Sequence, residues 1–395
     1  MEGLLKVVRD YQSFGWLALL VTVFLTPVAM RLAYRFGVLD IPDTKLKPHA
    51  RPIPYLGGAA ICAAWAASLA AAMLSGVVQD WHTLLPLLLG GVAMSVLGLV
   101  DDVRHLSPKT RLVVGAVVVT ATILATGTGF QLVDSGCHGL ATVLGVEFTL
   151  PAAVSIPLAV VISVFIVLGA CNSTNLIDGL DGLCSGVTGI ISFGFFLLAA
   201  HLASWSYSDT GDPVRLVLAV AMFGAALGFL PWNFNPAKIF MGDAGSMLLG
   251  YNCGVLILLF AERPGILRWF IGALMIFALP GFDTALAMFR RWRAGRSIFE
   301  GDRSHFYDQL VQRGLSVRQT VLVCYALTIV YAGAGLLLTL ARATPEGGAG
   351  LAIRTRHAVP IYLAVSIATA LLAWRTGLTK PEERRASPPG PPTGH

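Results

Sequence analysis

The chain is 395 residues long, 55% hydrophobic and only 13% charged, with a mean hydropathy of +0.72. A soluble globular protein carries about twice that charged fraction, so the composition excludes one and indicates an all-α polytopic membrane protein. The net charge of +6 follows from membrane topology, as the loops show below, and requires no nucleic-acid partner.

Eleven apolar runs approach the roughly 20 residues needed to cross hydrocarbon. They are 15–36, 57–77, 82–100, 111–127, 151–171, 183–202, 213–231, 246–261, 267–288, 319–340 and 358–374. The first is too long for a signal-peptide core, and no small-residue cleavage site follows it, so it reads as a signal anchor. Segment 130–149, with Asp134, Glu147 and several glycines, is a poor span. Its end, 144–150, suits a short hairpin or an interfacial segment. No internal repeat suggests a transporter built from inverted halves. Residues 1–378 read as one integral membrane domain. The stretch 379–395, rich in proline, glycine and charge, reads as a disordered cytoplasmic tail.

Orientation follows from the basic residues. One side holds Lys45, Lys47, Arg51, Arg104, Lys109, Arg111, Lys238, the arginines between 290 and 318, and those of the tail. The other side holds Lys6, Arg9, Arg215, Arg263, Arg268, Arg342, Arg354 and Arg356. The split is eighteen to eight. The richer side is cytoplasmic, which puts the N-terminus outside and the C-terminus inside a plasma (inner) membrane. Six cysteines show no metal-ligand spacing, and most lie within or beside spans, which argues against a disulfide framework.

Acidic residues are scarce, yet they gather where apolar runs end on the cytoplasmic side. The first basic loop, from Asp40 to Gly58, has cations and prolines suited to a pyrophosphate, or simply obeys the charge bias. The third run ends in Gly98-Leu99-Val100-Asp101-Asp102. Adjacent carboxylates beside Arg104, Lys109 and Arg111 suit metal binding or proton removal from a phosphate; alone, such a pair is usually a solvated helix cap. The string from Asn172 to Gly182 is less ordinary. Asn175, Asp178 and Asp181 are three apart, so a helical turn would set them on one face, and glycines between them permit close approach of a ligand. The last string runs from Asn233 through Phe240-Met241-Gly242-Asp243-Ala244-Gly245-Ser246. Its aspartate precedes a long apolar helix whose N-terminus favours anions, and Phe240 is placed to stack on a base.

Together these strings resemble the polyprenyl-phosphate N-acetylhexosamine-1-phosphate transferases, over about residues 40–316. The layout of about eleven spans with catalytic cytoplasmic loops resembles the N-acetylglucosamine branch. The resemblance implies that UDP-N-acetylhexosamine and polyprenyl phosphate react at the inner surface of the lipid bilayer, releasing UMP. It implies Mg²⁺, with Mn²⁺ as the alternative ion, held by Asp243 and Asn175. Asp101 is the candidate for deprotonating or orienting the lipid phosphate, with Asp102 supporting. Asn172, Asp178, Asp181 and Asn233 are implied nucleotide contacts, Phe240 stacks on uracil, and Lys47, Lys109 and Arg111 meet phosphates.

The fifth loop departs from the family. Members of the N-acetylglucosamine branch carry a histidine-rich string after an Asp-Arg pair. Here the stretch reads Asp302-Arg303-Ser304-His305-Phe306-Tyr307-Asp308. Arg303 and His305 match and are candidates for contacting the sugar or its phosphates, whereas Tyr307 and Asp308 replace later histidines. The muramoyl-pentapeptide transferases, with a triple histidine, fit less well. A transporter with interfacial acidic sites is the reading from another class, but transport sites lie near the midplane and these acids lie at span ends. A homodimer stays open.

Overall fold

The computed structural model describes residues 2–41, 52–144, 149–204, 212–261, 267–295, 305–343, 349–351 and 355–375. The chain is almost wholly helical. In order come α1 (Glu2–Phe36), β1 (Leu39–Asp40), β2 (Ile53–Pro54), α2 (Gly57–Leu74), α3 (Trp81–Arg104), α4 (Pro108–Thr126) and α5 (Leu132–Leu144). Then come α6 (Ala152–Leu176), α7 (Leu183–Ala203), α8 (Asp212–Asn233), α9 (Gly242–Leu259), α10 (Leu267–Ile276) and α11 (Ala278–Arg293). The order ends with α12 (Phe306–Gln312), α13 (Val317–Thr339), β3 (Ala341–Ala343), β4 (Ala349–Leu351) and α14 (Thr355–Arg375).

Helices dominate because a spanning segment must satisfy its backbone internally where water is absent. Some hydroxyls inside the spans do the same. Thr22 donates to the Ala18 carbonyl at 2.8 Å, Thr26 to Thr22 at 2.7 Å and Thr328 to Cys324 at 2.7 Å. Among the described residues, nine helices are long and apolar enough to cross a membrane, and α10 with α11 makes a tenth if counted as one bent span. That pair is the expected run 267–288, but it breaks by 74° instead of continuing straight. The eleventh run falls in α14. The short α5, at 13 residues, is too short to cross, in line with the reading of 130–149 as a poor span. The hairpin expected at 144–150 falls mostly outside the described residues. So does the tail 379–395.

The bundle is organised around α9. Its span is 89% buried, against 22% for α4 and 33% for α1, whose outward faces carry residues such as Phe24. Small residues set α9 against its neighbours, as association between helices in lipid demands. A Cβ on Gly58 of α2 would lie 2.2 Å from the Gly245 nitrogen, and one on Gly250 would lie 2.5 Å from Cys171 of α6. On α3, a Cβ at Gly98 would meet the Asp243 carbonyl at 2.3 Å. These contacts bring the end of α3, the end of α6 and the start of α9 to one end of the bundle. Each acid-bearing string therefore meets the others there.

Candidate active site

The start of α9 is held from outside its own helix. Asp102, in the last turn of α3, accepts hydrogen bonds from the Asp243 nitrogen at 3.0 Å and the Ala244 nitrogen at 3.2 Å. First-turn amides have no partner within their helix, so this carboxylate caps α9 across the bundle. Gly242 makes the entry with φ +66°, and a Cβ there would press on Asp102 Oδ2. The Asp-Asp pair and the Met-Gly-Asp string are thus one unit.

Asp101 takes a different part. Its Oδ1 accepts from the Leu106 nitrogen at 2.7 Å, inside a sharp turn where His105 adopts φ +50°. Ser107 caps α4 and Pro108 opens it; Pro suits that position because no amide is needed there. The turn brings Arg111 back towards α3. One guanidinium nitrogen, Nη1, lies 3.0 Å from Asp101 Oδ2 and 3.0 Å from Asp243 Oδ2. A phosphate contact was expected of Arg111, and the structure places it between two carboxylates. Lys109 is exposed and stands apart from the cluster.

Asn175, in the last turn of α6, donates through Nδ2 to Asp243 Oδ1 at 2.6 Å and to Ser246 Oγ at 3.1 Å. Its Oδ1 has no hydrogen-bond partner among the described residues. The expected helical face for Asn175, Asp178 and Asp181 is not formed, because α6 ends at Leu176 and α7 begins at Leu183. The two aspartates lie in the intervening turns, where glycines break the helix. Asp181 Oδ2 accepts from Asn235 Nδ2 and the Ala237 nitrogen, both at 2.9 Å, so it secures the loop leading to Phe240. Asp178 is half-buried, and its side chain has no hydrogen bond among the described residues. Burial raises its pKa well above the usual carboxylate range, assisted by the negative charges of Asp243, Asp102 and Asp181. A half-buried acid whose side chain has no partner is a candidate place for a ligand.

Two expected nucleotide contacts are turned inward. Asn233 is 2% exposed. Its Oδ1 accepts from the Gly182 nitrogen and Ser185 Oγ, and its Nδ2 donates to the Ile239 carbonyl. Its amide braces the turn before α7 against the loop before α9. Asn172 donates to the Leu168 carbonyl one turn back in α6, at 3.1 Å. Phe240 is half-buried, and its backbone laces onto the first loop, accepting from Gly57 and donating to Pro54. Lys47 and Arg303 lie outside the described residues.

His305 is buried beside the end of α6. Its Nδ1 lies 2.7 Å from Asp283 Oδ2, and Asp283 Oδ1 accepts from the Phe306 nitrogen at 2.7 Å. Tyr307 stacks on the imidazole with ring centroids 5.5 Å apart and donates to the Leu176 carbonyl at 2.7 Å. Burial, with the charges of Asp308, Asp283 and Asp178, raises the Tyr307 phenol pKa well above its usual value. Asp283 was missed from sequence, although an acid within the run 267–288 was signal enough, since ionisable residues inside membrane spans are rare.

No group of three or more His, Cys, Asp or Glu suited to a metal occurs among the described residues. Magnesium does not require one. It is usually held by one or two carboxylates with waters and substrate phosphates. The Asp243 carboxylate and the unpartnered Asn175 Oδ1 provide hard oxygen donors of that kind.

The bundle thus joins carboxylates of α3 and α9 with Arg111 of α4 and Asn175 of α6 at one end of a membrane-spanning fold. The description "glycosyl transferase family 4" matches residues 84–261. A probable undecaprenyl-phosphate N-acetylglucosaminyl 1-phosphate transferase of Bacillus subtilis is 31% identical over 321 residues, covering 81% of this chain and 83% of its own length. A decaprenyl-phosphate N-acetylglucosaminephosphotransferase of Mycolicibacterium smegmatis is 31% identical over 333 residues, covering 80% and 79%. A phospho-N-acetylmuramoyl-pentapeptide-transferase of Mycolicibacterium vanbaalenii is a more distant match, 30% identical over 348 residues and covering 82% and 94%. The chain belongs to glycosyl transferase family 4, in the branch of polyprenyl-phosphate N-acetylglucosamine-1-phosphate transferases.

Proposed function

We propose that this protein transfers N-acetylglucosamine 1-phosphate from its UDP-sugar to a polyprenyl phosphate, undecaprenyl phosphate in the first instance, and releases UMP. This is the first membrane step of cell-envelope glycan assembly, carried out at the cytoplasmic face of the plasma membrane. The observation that carries the reading is Arg111 between Asp101 and Asp243, at the end of the bundle where Asn175 and Asp178 also lie. The names and coverage of the relatives support the substrates.

A phosphate oxygen of the lipid attacks the β-phosphorus of the UDP-sugar. The bond from that phosphorus to the bridging oxygen breaks, and UMP leaves with the electron pair. Two anionic reactants must meet, so cations are needed to offset their repulsion. Mg²⁺, held by Asp243 and Asn175, would supply charge neutralisation at the diphosphate. Arg111 is within reach of the same phosphates, with Lys109 and Lys47 as outer contacts. Asp101 orients the lipid phosphate or accepts its remaining proton. Asp102 keeps Asp243 in place by capping α9. Asp178 contacts the nucleoside, Phe240 stacks on uracil, and His305 with Arg303 meets the sugar or its phosphates.

Purified protein supplied with undecaprenyl phosphate, Mg²⁺ and a panel of UDP-sugars tests the reading through release of UMP. UDP-N-acetylglucosamine, or a close N-acetylhexosamine, is expected to turn over faster than UDP-N-acetylmuramoyl-pentapeptide. Equal or faster turnover of the pentapeptide substrate would overturn the branch substrate but not the reaction.

A further inference from the structure

We propose that Asp283 is the positioning residue of His305, fixing both the orientation and the tautomer of its imidazole for work on the sugar phosphate. The inference rests on the role given to His305 above. Asp283 is 3% exposed and His305 4%, so little of the pair meets water. A carboxylate in such a place is costly unless every oxygen finds a donor, and here each does. Oδ2 faces His305 Nδ1 at 2.7 Å, and Oδ1 accepts from the Phe306 nitrogen at 2.7 Å.

The chemistry of the partners decides the tautomer. An ionised carboxylate only accepts, so the proton between Asp283 and His305 sits on Nδ1. That leaves Nε2 as the free valence of the ring, the atom available to substrate. A carboxylate holding the far nitrogen of a working histidine is a recurrent solution on unrelated folds. The second hydrogen bond, to Phe306, anchors the backbone directly after the histidine. The ring cannot turn without losing the first bond or dragging the start of α12 with it.

The other side of the ring is fixed as well. Tyr307 stacks on it at an interplanar angle of 5° and is itself tied to the Leu176 carbonyl, the residue after Asn175. A Cβ on Gly179 would fall 2.2 Å from the Tyr307 hydroxyl, so this tyrosine lies hard against the turn that carries Asp178. His305 is therefore clamped between α11 and the end of α6. The departure at position 307 from the histidine-rich string of the family supplies one half of that clamp.

The test is a double-mutant cycle with Asp283→Asn and His305→Gln. An asparagine keeps the size of the side chain and can still accept from Phe306. Its amide nitrogen, however, is a donor facing Nδ1, which forces the ring proton onto Nε2. Asp283→Asn is expected to lower kcat about 10- to 100-fold, the range typical when the partner of a working histidine is lost, with KM for UDP-N-acetylglucosamine little changed. In the His305→Gln background the same substitution is expected to have almost no further effect. Asp283→Glu, which restores the carboxylate, is expected to recover part of kcat. Thermal stability and binding of UMP, measured on each variant, are expected to hold. Multiplying effects of the two substitutions, or a loss of stability that accounts for the lost turnover, would overturn the inference and make Asp283 a structural brace. If His305→Gln itself retains full turnover, the role of His305 fails and this inference with it. If His305→Gln is impaired and Asp283→Asn is not, only the inference fails.

Discussion

Helix α9 meets arginine and aspartate at both of its ends, and the two ends do opposite things. At the far end, Arg215 donates through Nε to the Leu259 carbonyl at 2.9 Å and pairs through Nη1 with Asp212 at 2.6 Å. Both side chains are under 10% exposed. Arg215 and Asp212 are paired there, beside carbonyls that favour positive charge. The end is closed. At the end where α9 begins, one guanidinium nitrogen serves both Asp101 and Asp243, Asp102 is spent on the helix amides, and the Asp178 side chain has no hydrogen-bond partner among the described residues. Arg111 and Asp243 keep about a quarter of their side-chain surface open. Carboxyl groups outnumber cations in this cluster among the described residues, and the cluster is within reach of solvent. A closed pair leaves no room for a ligand; an open cluster suits the cations and phosphates proposed above.

That contrast can be broken at either end, and the expected effects differ in kind. The largest follows Asp243→Asn, which removes a charged ligand from a hard-cation site. Turnover is expected to fall about 1,000-fold, as several kcal/mol of transition-state stabilisation are lost. The variant should still insert, stay stable in detergent and bind UMP, because Asp243 lies at the edge of the bundle. Near-normal turnover of this variant at low Mg²⁺ would remove it from the metal role.

Arg111→Gln comes next. Two carboxylates are left facing one another without their shared cation, which disfavours their joint ionisation, and a phosphate contact is lost as well. Turnover is expected to drop about 100-fold, with the sharpest loss at subsaturating UDP-sugar. Initial rates against substrate concentration check this.

Arg215→Gln is the control at the far end. Breaking a buried pair from one side costs about 3–5 kcal/mol of stability, so the thermal transition should fall clearly. Turnover per folded molecule should stay as it was. A specific loss of kcat without a fall in stability would erase the distinction between the two ends.

The smallest effect is expected from Asp181→Asn. An amide oxygen can still accept from the Ala237 nitrogen, but the bond to Asn235 is weakened. The loop that leads to Phe240 loosens, and KM for the UDP-sugar rises less than about tenfold while kcat is kept. A kcat defect larger than the KM defect would place Asp181 nearer the chemistry than its hydrogen bonds do.

Much of this arrangement was legible from the residues. Apolar runs announce spans because hydrocarbon tolerates little else, so α1 to α4, α6 to α9 and α13 fall where expected. The acidic strings stand out because so few acids exist in the chain. Contacts across the bundle were not legible. Nothing in the order of residues says that Asp102 caps α9 or that Arg111 lies between two carboxylates, since those pairs are brought together by glycine-mediated helix packing. The three-residue spacing of Asn175, Asp178 and Asp181 misled, because glycines at 179 and 182 favour turns over a continued helix. Asn233, a polar residue in a polar string, looks like a ligand contact in one dimension and is a buried brace in three. The 74° break after Ile276 was hidden within a continuous apolar run, whereas Asp283 stood out in that run as an ionisable residue and was passed over.

The fate of the β-phosphorus tests the central claim most directly. With UDP-N-acetylglucosamine labelled at that phosphorus, and undecaprenyl phosphate and Mg²⁺ present, the label is expected in the lipid fraction while unlabelled UMP is released in equal amount. The Asp243→Asn variant should leave the label on the sugar nucleotide. Label recovered in UDP, with a lipid that carries a single phosphate, would contradict the account, because the sugar alone would then have moved and the charge-rich end of α9 would have no diphosphate to divide.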